Sequence, residues 1–218
     1  MRSLQGAGSL YARVKGMVGS DLLQIFGFSG SGKTTFALKL SEDASRYGRV
    51  LYVDTEMNMK EKPRIPGLEY CSFDDFDSVY HSLRQLLSGS YRLVVVDSIG
   101  LPMLAKLAEL RMDERGLVFQ KAVNMVYRLK SYASLNDCLV LVTNQPESEF
   151  AKKDLSYLEP FGGKTVYAFK EVWYSRVVSR DQKSTICVIS SFRSRIYPYG
   201  RELFRMEIGD TTRILPGM

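Results

Sequence analysis

The segment from Gly27 to Thr34 carries the residues whose types and spacing point most directly to chemistry. It matches the pattern G-x-x-x-x-G-K-[ST], follows an apolar run and precedes an amphipathic stretch, as the motif requires. Glycines let the backbone turn its N–H groups towards an anion, and a following helix adds its N-terminal donors. The pattern predicts a loop that binds the phosphates of ATP through Gly27, Phe28, Ser29, Gly30, Ser31, Gly32, Lys33, Thr34 and Thr35.

An aspartate at the end of another apolar run supports a nucleotide site. Residues 93–96 read Leu-Val-Val-Val and are followed by Asp97, a pattern typical of a buried strand that ends in a carboxylate. In open α/β folds, ligands collect at the carboxyl ends of the parallel strands. Thr34 and Asp97 are therefore the candidate residues for holding Mg²⁺, Thr34 through its hydroxyl and Asp97 through water.

Two polar residues that follow other apolar runs could act on the terminal phosphate. Hydrolysis needs a group that orients or deprotonates water in line with the γ-phosphate, and Glu56 is the candidate. Gln145 places a neutral amide where it could hydrogen-bond to the same phosphate and sense its presence. The predicted catalytic residues are thus Glu56, Lys33 and Gln145, while a solvated loop acid remains the alternative interpretation of Glu56.

Short β-type runs alternate with helical stretches over the first 144 residues, and these elements must position the polar groups. The apolar runs lie at 22–28, 49–55, 68–73, 92–98 and 138–144, and amphipathic windows lie at 33–47, 74–88 and 115–135. Strands separated by helices of this length predict βαβ units and a mainly parallel central sheet flanked by helices. The predicted fold class is α/β.

The pattern changes after Asn144. Residues 145–165 are polar and contain glycines, so we expect a mobile loop there. From 166 to 218, runs with period-two alternation are separated by polar turns such as 180–183, which predicts antiparallel hairpins added at one side of the sheet. The C-terminal part is therefore expected to be β-rich.

Size and composition exclude several classes of protein. A chain of 218 residues, 45% hydrophobic and 25% charged, predicts a single domain over 1–218 with a lead-in segment at 1–20. No apolar run approaches the roughly 18 residues of a membrane span, and no secretory signal is visible, so we expect a cytoplasmic protein without a membrane partner. Three widely spaced cysteines and one histidine predict neither a disulfide framework nor a zinc site. The net charge of +6 favours polyanionic partners.

Several motifs occur together in a characteristic order along the chain: GFSGSGKTT, YVDTE, LVVVDS, VTNQ and FGGK. With these motifs the chain resembles the RecA/RadA recombinase superfamily, most of all its short archaeal paralogues of the RadB or RadC type. The resemblance extends from about Leu10 to the end of the chain. It implies a RecA-type P-loop ATPase core in which Glu56 is the catalytic base and Gln145 is the γ-phosphate sensor.

The resemblance also implies two loops that bind DNA, the first at 111–116 and the second at 146–164. The candidate DNA-contacting residues are Arg111, Arg115, Lys152, Lys153 and Lys164. Between Lys170 and Arg205 the chain carries eight basic and three acidic residues, with aromatic residues interleaved. This stretch either tracks a phosphate backbone and stacks unpaired bases, or simply places arginines on the solvent face of strands.

Departures from the family pattern bear on assembly. Full-length recombinases begin with a DNA-binding helical domain and a linker that carries a polymerisation aromatic, whereas this chain begins almost at the ATPase core. The family's Asp-x-Pro cap on a neighbour's nucleotide is replaced by Ser191 and Arg193, and an arginine that stacks on adenine is replaced by Lys60. We therefore expect neither a filament nor strand exchange.

The combined motifs predict an Mg²⁺-dependent, slowly hydrolysing ATPase that binds DNA, above all single-stranded DNA. As the resemblance implies, it would assist a full-length RadA-type recombinase in homologous recombination and DNA repair. A non-catalytic, ATP-responsive interaction module for such a partner is one alternative. A KaiC-like signalling ATPase is another, although its adjacent pair of acids is replaced by Thr55 and Glu56.

Overall fold

The computed structural model describes residues 8–57, 59, 61–147, 159–160 and 167–217. Its first part alternates strands and helices, and its last part consists of strands. The elements are α1 (Leu10–Val18), β1 (Leu22–Phe26), α2 (Lys33–Ala44), β2 (Val50–Asp54), β3 (Leu68–Ser72), α3 (Phe76–Leu86), β4 (Leu93–Asp97), α4 (Gly100–Glu109), α5 (Arg115–Leu135), β5 (Leu139–Asn144), β6 (Glu171–Arg180), β7 (Thr185–Arg193), β8 (Glu202–Ile208) and β9 (Arg213–Pro216).

The strands of the described residues form a single nine-stranded sheet in the order β3-β2-β4-β5-β1-β6-β7-β8-β9. From β3 to β6 in this order the strands are parallel, and β7, β8 and β9 continue the sheet with antiparallel pairing. Since β1 lies between β5 and β6, the loop that follows β1 emerges near the middle of the sheet. The α/β class, the mainly parallel sheet and the C-terminal antiparallel strands are confirmed.

The central strands bury side chains on both faces, which explains why they read as continuous apolar runs. In β1, Leu22 and Phe26 belong to a cluster that α3, α4 and α5 cover. Leu23 and Ile25 belong to a second cluster on the opposite face, which α1 and α2 cover. Two packed layers therefore hold the carboxyl ends of the parallel strands in fixed register.

Helix α1 was not predicted, because its region was treated as a lead-in. Ser9 caps its N-terminus by accepting a hydrogen bond from the Ala12 amide at 3.2 Å. Tyr11, Val14 and Val18 are buried on one face of the helix and pack in the cluster beside α2. This part of the lead-in segment therefore contributes to the core.

Helix α4 was not predicted either. Its sequence contains Gly100 and Pro102, which reduce the helical signal. Both residues lie in the first turn, where the missing N–H of proline would have no partner within the helix. Within the described residues, no helix has the length and hydropathy required to cross a membrane.

Candidate nucleotide-binding site

The loop between β1 and α2 has the backbone conformation of an anion cradle. Gly30 and Gly32 adopt φ angles of +75° and +86°, a region that residues with a Cβ atom rarely occupy. Gly32 is also the N-cap of α2, and no side chain caps this end of the helix. The N-terminal amides of α2 are therefore left to bind a group that is not a capping side chain.

The same loop packs directly on the antiparallel strands. A Cβ atom at Gly27 would lie 2.2 Å from the carbonyl oxygen of Ser175 in β6, and one at Gly32 would lie 2.8 Å from Cε of Met206 in β8. The Ser175 hydroxyl also donates a hydrogen bond of 2.7 Å to the carbonyl of Ser31. The loop conformation thus depends on strands that lie about 150 residues further along the chain.

Lys33 is held against the loop that it follows. Its Nζ donates to the carbonyl oxygens of Gly27 at 2.8 Å and Phe28 at 3.1 Å, and the residue is only 7% exposed. Burial lowers the pKa of Lys33 below its ordinary value, an effect that the negative charges of Glu56 and Asp97 oppose. The two acids favour the protonated form of this buried amine, which is the form that can bind a phosphate group.

Asp97 is the last residue of β4 and is held by the neighbouring strands β2 and β5. Its Oδ2 accepts a hydrogen bond of 2.6 Å from the hydroxyl of Tyr52, and its Oδ1 accepts one from the hydroxyl of Thr143. Burial, and then the charge of Asp97, raise the pKa of Tyr52, so this hydroxyl remains a donor. Asp97 is 2% exposed, and its peptide bond to Ser98 is cis.

Glu56 is presented by a tight turn at the end of β2. Asp54 Oδ1 accepts hydrogen bonds of 3.0 Å from the amides of both Glu56 and Met57. The other carboxylate oxygen of Asp54 accepts a 2.6 Å bond from Tyr70 on the neighbouring strand β3. Burial and this hydrogen bond raise the pKa of Tyr70 to about 12. The position of Glu56 is therefore set by Asp54 and Tyr70.

Gln145 follows β5 and is linked to the phosphate loop through its neighbour. The backbone amide of Gln145 donates to the side-chain oxygen of Asn144 at 2.9 Å. The carbonyl of Asn144 accepts a 3.3 Å bond from the amide of Gly27. Just beyond Gln145, a bridge pairs Pro146 with Pro160, and the Glu147 amide donates to the Glu159 carbonyl at 2.7 Å.

A cavity of about 290 Å³ brings most of the predicted residues together. Gly27, Phe28, Ser31 and Asp97 do not line it; Gly27, Ser31 and Asp97 are buried, and Phe28 packs partly against the cluster of α3 to α5. The residues that line it are Ser29, Gly30, Gly32, Lys33, Thr34, Thr35, Glu56, Gln145, Arg180, Thr185 and Ile208.

Three of the lining residues were not predicted as site residues. Arg180, Thr185 and Ile208 come from the ends of β6, β7 and β8, which the sequence identified only as hairpin strands. The signal that could have found Arg180 is its place in the polar turn at 180–183. Nothing in that pattern shows that the turn lies beside the phosphate loop.

The candidate DNA-contacting residues are only partly described. Arg111 is exposed and lies near Asp113 at 3.5 Å and Glu114 at 3.6 Å, so acids of its own turn offset its charge. The Nε of Arg115 donates to the Leu110 carbonyl at 3.3 Å. Lys152, Lys153 and Lys164 lie outside the described residues, as does Lys60.

Four aromatic residues of the C-terminal part fall into two groups. Tyr174 and Phe192 are half-buried and pack on Phe26, with ring centroids 5.2 and 4.8 Å away. Tyr199 and Tyr167 are 69% and 82% exposed. Tyr199 contacts Phe192, and the guanidinium of Arg193 lies over the ring of Tyr167 at 5.4 Å.

The donor set suits a polyphosphate with a hard cation. Gly32 has a φ angle of +86°, which residues with a Cβ atom rarely adopt, the end of α2 has no side-chain cap, and Lys33 offers a buried ammonium. Thr34 adds a hydroxyl at the cavity wall, and oxygen donors are those that Mg²⁺ prefers. These groups fit the terminal phosphates of a nucleotide.

Comparisons with known proteins agree with this description. The chain is 26% identical over 180 residues to the DNA repair and recombination protein RadB of Methanosphaera stadtmanae, covering 75% of this chain and 73% of the relative. It is 26% identical over 172 residues to the protein of the same name from Methanocaldococcus jannaschii, covering 72% of this chain and 76% of the relative. No protein-family model matches the chain. The chain is thus similar to two RadB proteins, and its mainly parallel α/β fold agrees with that similarity.

Proposed function

We propose that this chain binds ATP with Mg²⁺, hydrolyses it slowly and acts on DNA as an accessory in homologous recombination and DNA repair. The observation that carries the proposal is the cavity in which the phosphate loop, Glu56 and Gln145 meet. These residues come from the ends of three parallel strands, β1, β2 and β5, and their convergence follows from the strand order.

Phosphate binding is assigned to the loop and to Lys33. The amides of the loop and of the first turn of α2 would bind the phosphate oxygens. Lys33 would exchange the carbonyls of Gly27 and Phe28 for phosphate oxygens, which are stronger acceptors for an ammonium. Thr34 and Asp97 would hold Mg²⁺, which neutralises charge on the terminal phosphates when bound.

Turnover is assigned to Glu56 and Gln145. Glu56 lines the cavity and would orient and deprotonate the attacking water, while the side-chain amide of Gln145 would hydrogen-bond the γ-phosphate. We expect slow hydrolysis, because Ser191 and Arg193 stand where the family carries the cap on a neighbour's nucleotide.

The role in recombination rests on the relatives and on surface chemistry. Both relatives carry the name DNA repair and recombination protein. The exposed rings of Tyr167 and Tyr199 could stack unpaired bases, and Arg193, which lies over the ring of Tyr167, could contact phosphates. We therefore propose single-stranded DNA and a full-length RadA-type recombinase as partners.

Nucleotide binding is tested by calorimetry with ATP and Mg²⁺. Lys33→Ala should abolish measurable binding, because it removes the buried ammonium of the loop. Lys39→Ala is the matched control: Lys39 lies on the same helix, and its ammonium pairs with Glu42 at 3.0 Å. Equal affinities for the wild-type chain and Lys33→Ala would contradict the proposal.

Hydrolysis is tested by phosphate release. Glu56→Gln should keep ATP affinity and lower turnover by about 10²-fold or more, since an amide cannot accept a proton from water. The assigned base is wrong if this variant hydrolyses ATP at the wild-type rate.

One observation favours a second function, a non-catalytic module that responds to ATP. Gln145 lies between the cavity and the bridge of Pro146 with Pro160, so a bound nucleotide could alter this bridge. Undetectable phosphate release together with ATP-dependent binding to a RadA-type recombinase would favour the module over the ATPase.

A further inference from the structure

The tip of the β6–β7 hairpin reaches the phosphate loop. Arg180, the last residue of β6, places Nη2 at 3.5 Å from the carbonyl oxygen of Gly30. A Cβ atom at Gly30 would lie 3.3 Å from the same nitrogen. The guanidinium thus lies within van der Waals range of the loop that is proposed to bind the phosphates.

The hairpin holds Arg180 in this position. Asp181 Oδ1 accepts hydrogen bonds from the amides of Lys183 at 2.7 Å and Ser184 at 2.8 Å, which closes the turn. Arg180 pairs with Thr185 across the two strands, and its Nε donates to the Thr185 hydroxyl at 3.3 Å. Thr185 lines the same cavity.

The charges around the cavity favour an anion at this position. Among the described residues that line it, the basic groups are Lys33 and Arg180, and the acidic group is Glu56. No carboxylate of the described residues lies within the 4.0 Å of an ion pair with Arg180. The guanidinium of Arg180 contacts the loop between β1 and α2 through one long hydrogen bond, to Gly30. Replacing that bond by one to a phosphate oxygen, a stronger acceptor, would cost little free energy.

We propose that Arg180 is a second cationic ligand of the nucleotide's polyphosphate, supplied by the chain's own C-terminal hairpin. Lys33 would bind from the floor of the loop and Arg180 from its exposed side, beside Gly30. The planar guanidinium can donate two parallel hydrogen bonds to one phosphate group. This inference rests on the proposed nucleotide binding and adds to it a residue outside the motifs.

The test compares the affinities of purified full-length variants by calorimetry, with ATP and with inorganic tripolyphosphate as separate probes. Arg180→Ala should lower the affinity for each probe by about ten-fold or more, as expected from the loss of hydrogen bonds to charged groups. Arg180→Lys should retain part of the affinity. Arg176→Ala is the matched control, since Arg176 is an exposed arginine of the same strand that does not line the cavity. Thermal melting of each variant checks that it is folded.

The outcomes separate this inference from the proposed function. The inference would be overturned if Arg180→Ala bound both probes with wild-type affinity while Lys33→Ala showed no measurable binding. The proposed ATP site would be supported by that result. A loss for ATP with no loss for tripolyphosphate would also overturn it, because Arg180 would then contact the nucleoside. If the wild-type chain bound neither probe, both proposals would fail.

Discussion

Two acidic side chains in the site are held by tyrosines to which the sequence assigned no role. Tyr52 donates to Asp97, and Tyr70 donates to Asp54, which in turn binds the amides of the Glu56 turn. The two rings stack with centroids 6.2 Å apart. A pair of neighbouring tyrosines therefore fixes both the proposed metal-supporting acid and the backbone that carries the proposed base.

Replacing Tyr70 by Phe should change turnover more than binding. The substitution removes one hydrogen bond of Asp54 and should lower the free energy of unfolding by about 1 kcal/mol. With the Glu56 turn less constrained, the rate of phosphate release should fall while ATP affinity stays within about two-fold. Denaturant unfolding, phosphate release and calorimetry measure the three quantities.

Tyr80→Phe is the control for that substitution, because the ring of Tyr80 packs with Lys121 and Arg128 on α5, away from the site. If Tyr70→Phe and Tyr80→Phe gave the same rate of phosphate release, Tyr70 would have no role in positioning Glu56.

At the scale of elements, the phosphate loop is supported by strands on both sides of β1. Gly27 donates to Asn144 of β5, and Ser175 of β6 donates to Ser31. The parallel pairing of β6 with β1 brings these groups together. Strand β6 therefore helps to hold the loop that is proposed to bind phosphate and is not an independent extension of the sheet.

Gly27→Ala should show this support directly. Its Cβ atom would lie 2.2 Å from a backbone oxygen of β6, so loop or strand must move, and we expect a loss of several kcal/mol in the free energy of unfolding. Gly16→Ala in α1 is the contrasting variant, because nothing lies within 4 Å of its Cβ atom. That change should raise stability by about 0.5–1 kcal/mol. Similar melting temperatures for the two variants would contradict the packing described for β6.

The sequence predicted elements best where burial alone sets the pattern. β2, β4 and β5 are buried over their whole length, and their apolar runs were recognised to within one or two residues at each end. α1 and α4 were missed because Gly16, Gly100 and Pro102 weaken the local helical signal and packing outweighs it. The phosphate loop and its Glu56 and Gln145 neighbours follow from motifs. The contact of Arg180 with Gly30 depends on strand order, which no local pattern contains.

At the scale of the whole molecule, positive charge and exposed aromatic rings coincide in the C-terminal part. The chain carries a net charge of +6, and eight basic residues lie between Lys170 and Arg205. Tyr199 exposes its ring within this stretch and Tyr167 exposes its ring just before it, where Arg193 contacts Tyr167. Within this stretch Tyr174 and Phe192 are packing residues, and the exposed ring of Tyr199 is the one on which the proposed contact with unpaired bases rests.

Tyr199→Ala should weaken binding of single-stranded DNA by roughly 5- to 150-fold, the range for loss of one stacked base. Fluorescence anisotropy with a labelled oligonucleotide at several salt concentrations measures this. The wild-type affinity should fall steeply with salt, while the slope should be the same in the variant because no phosphate contact is removed.

Tyr127→Ala is the control, since Tyr127 is also an exposed tyrosine, at 57%, but lies on helix α5 and not in the C-terminal part. An affinity for DNA that does not respond to salt, or equal affinities of Tyr199→Ala and the wild-type chain, would remove this region from the DNA-binding surface.

The amide of Gly27 ties the phosphate loop to Asn144, and only Gln145 separates Asn144 from the pair Pro146 and Pro160. A displacement of the loop would reach that pair through one residue, without crossing a helix or the hydrophobic layers. The proposed ATP hydrolysis and the proposed response of the Pro146–Pro160 pair to the nucleotide would then both depend on Gln145. Substitutions at Gln145 should therefore impair both ATP turnover and ATP-dependent partner binding. A variant that lowers only one of the two should be a substitution at another residue.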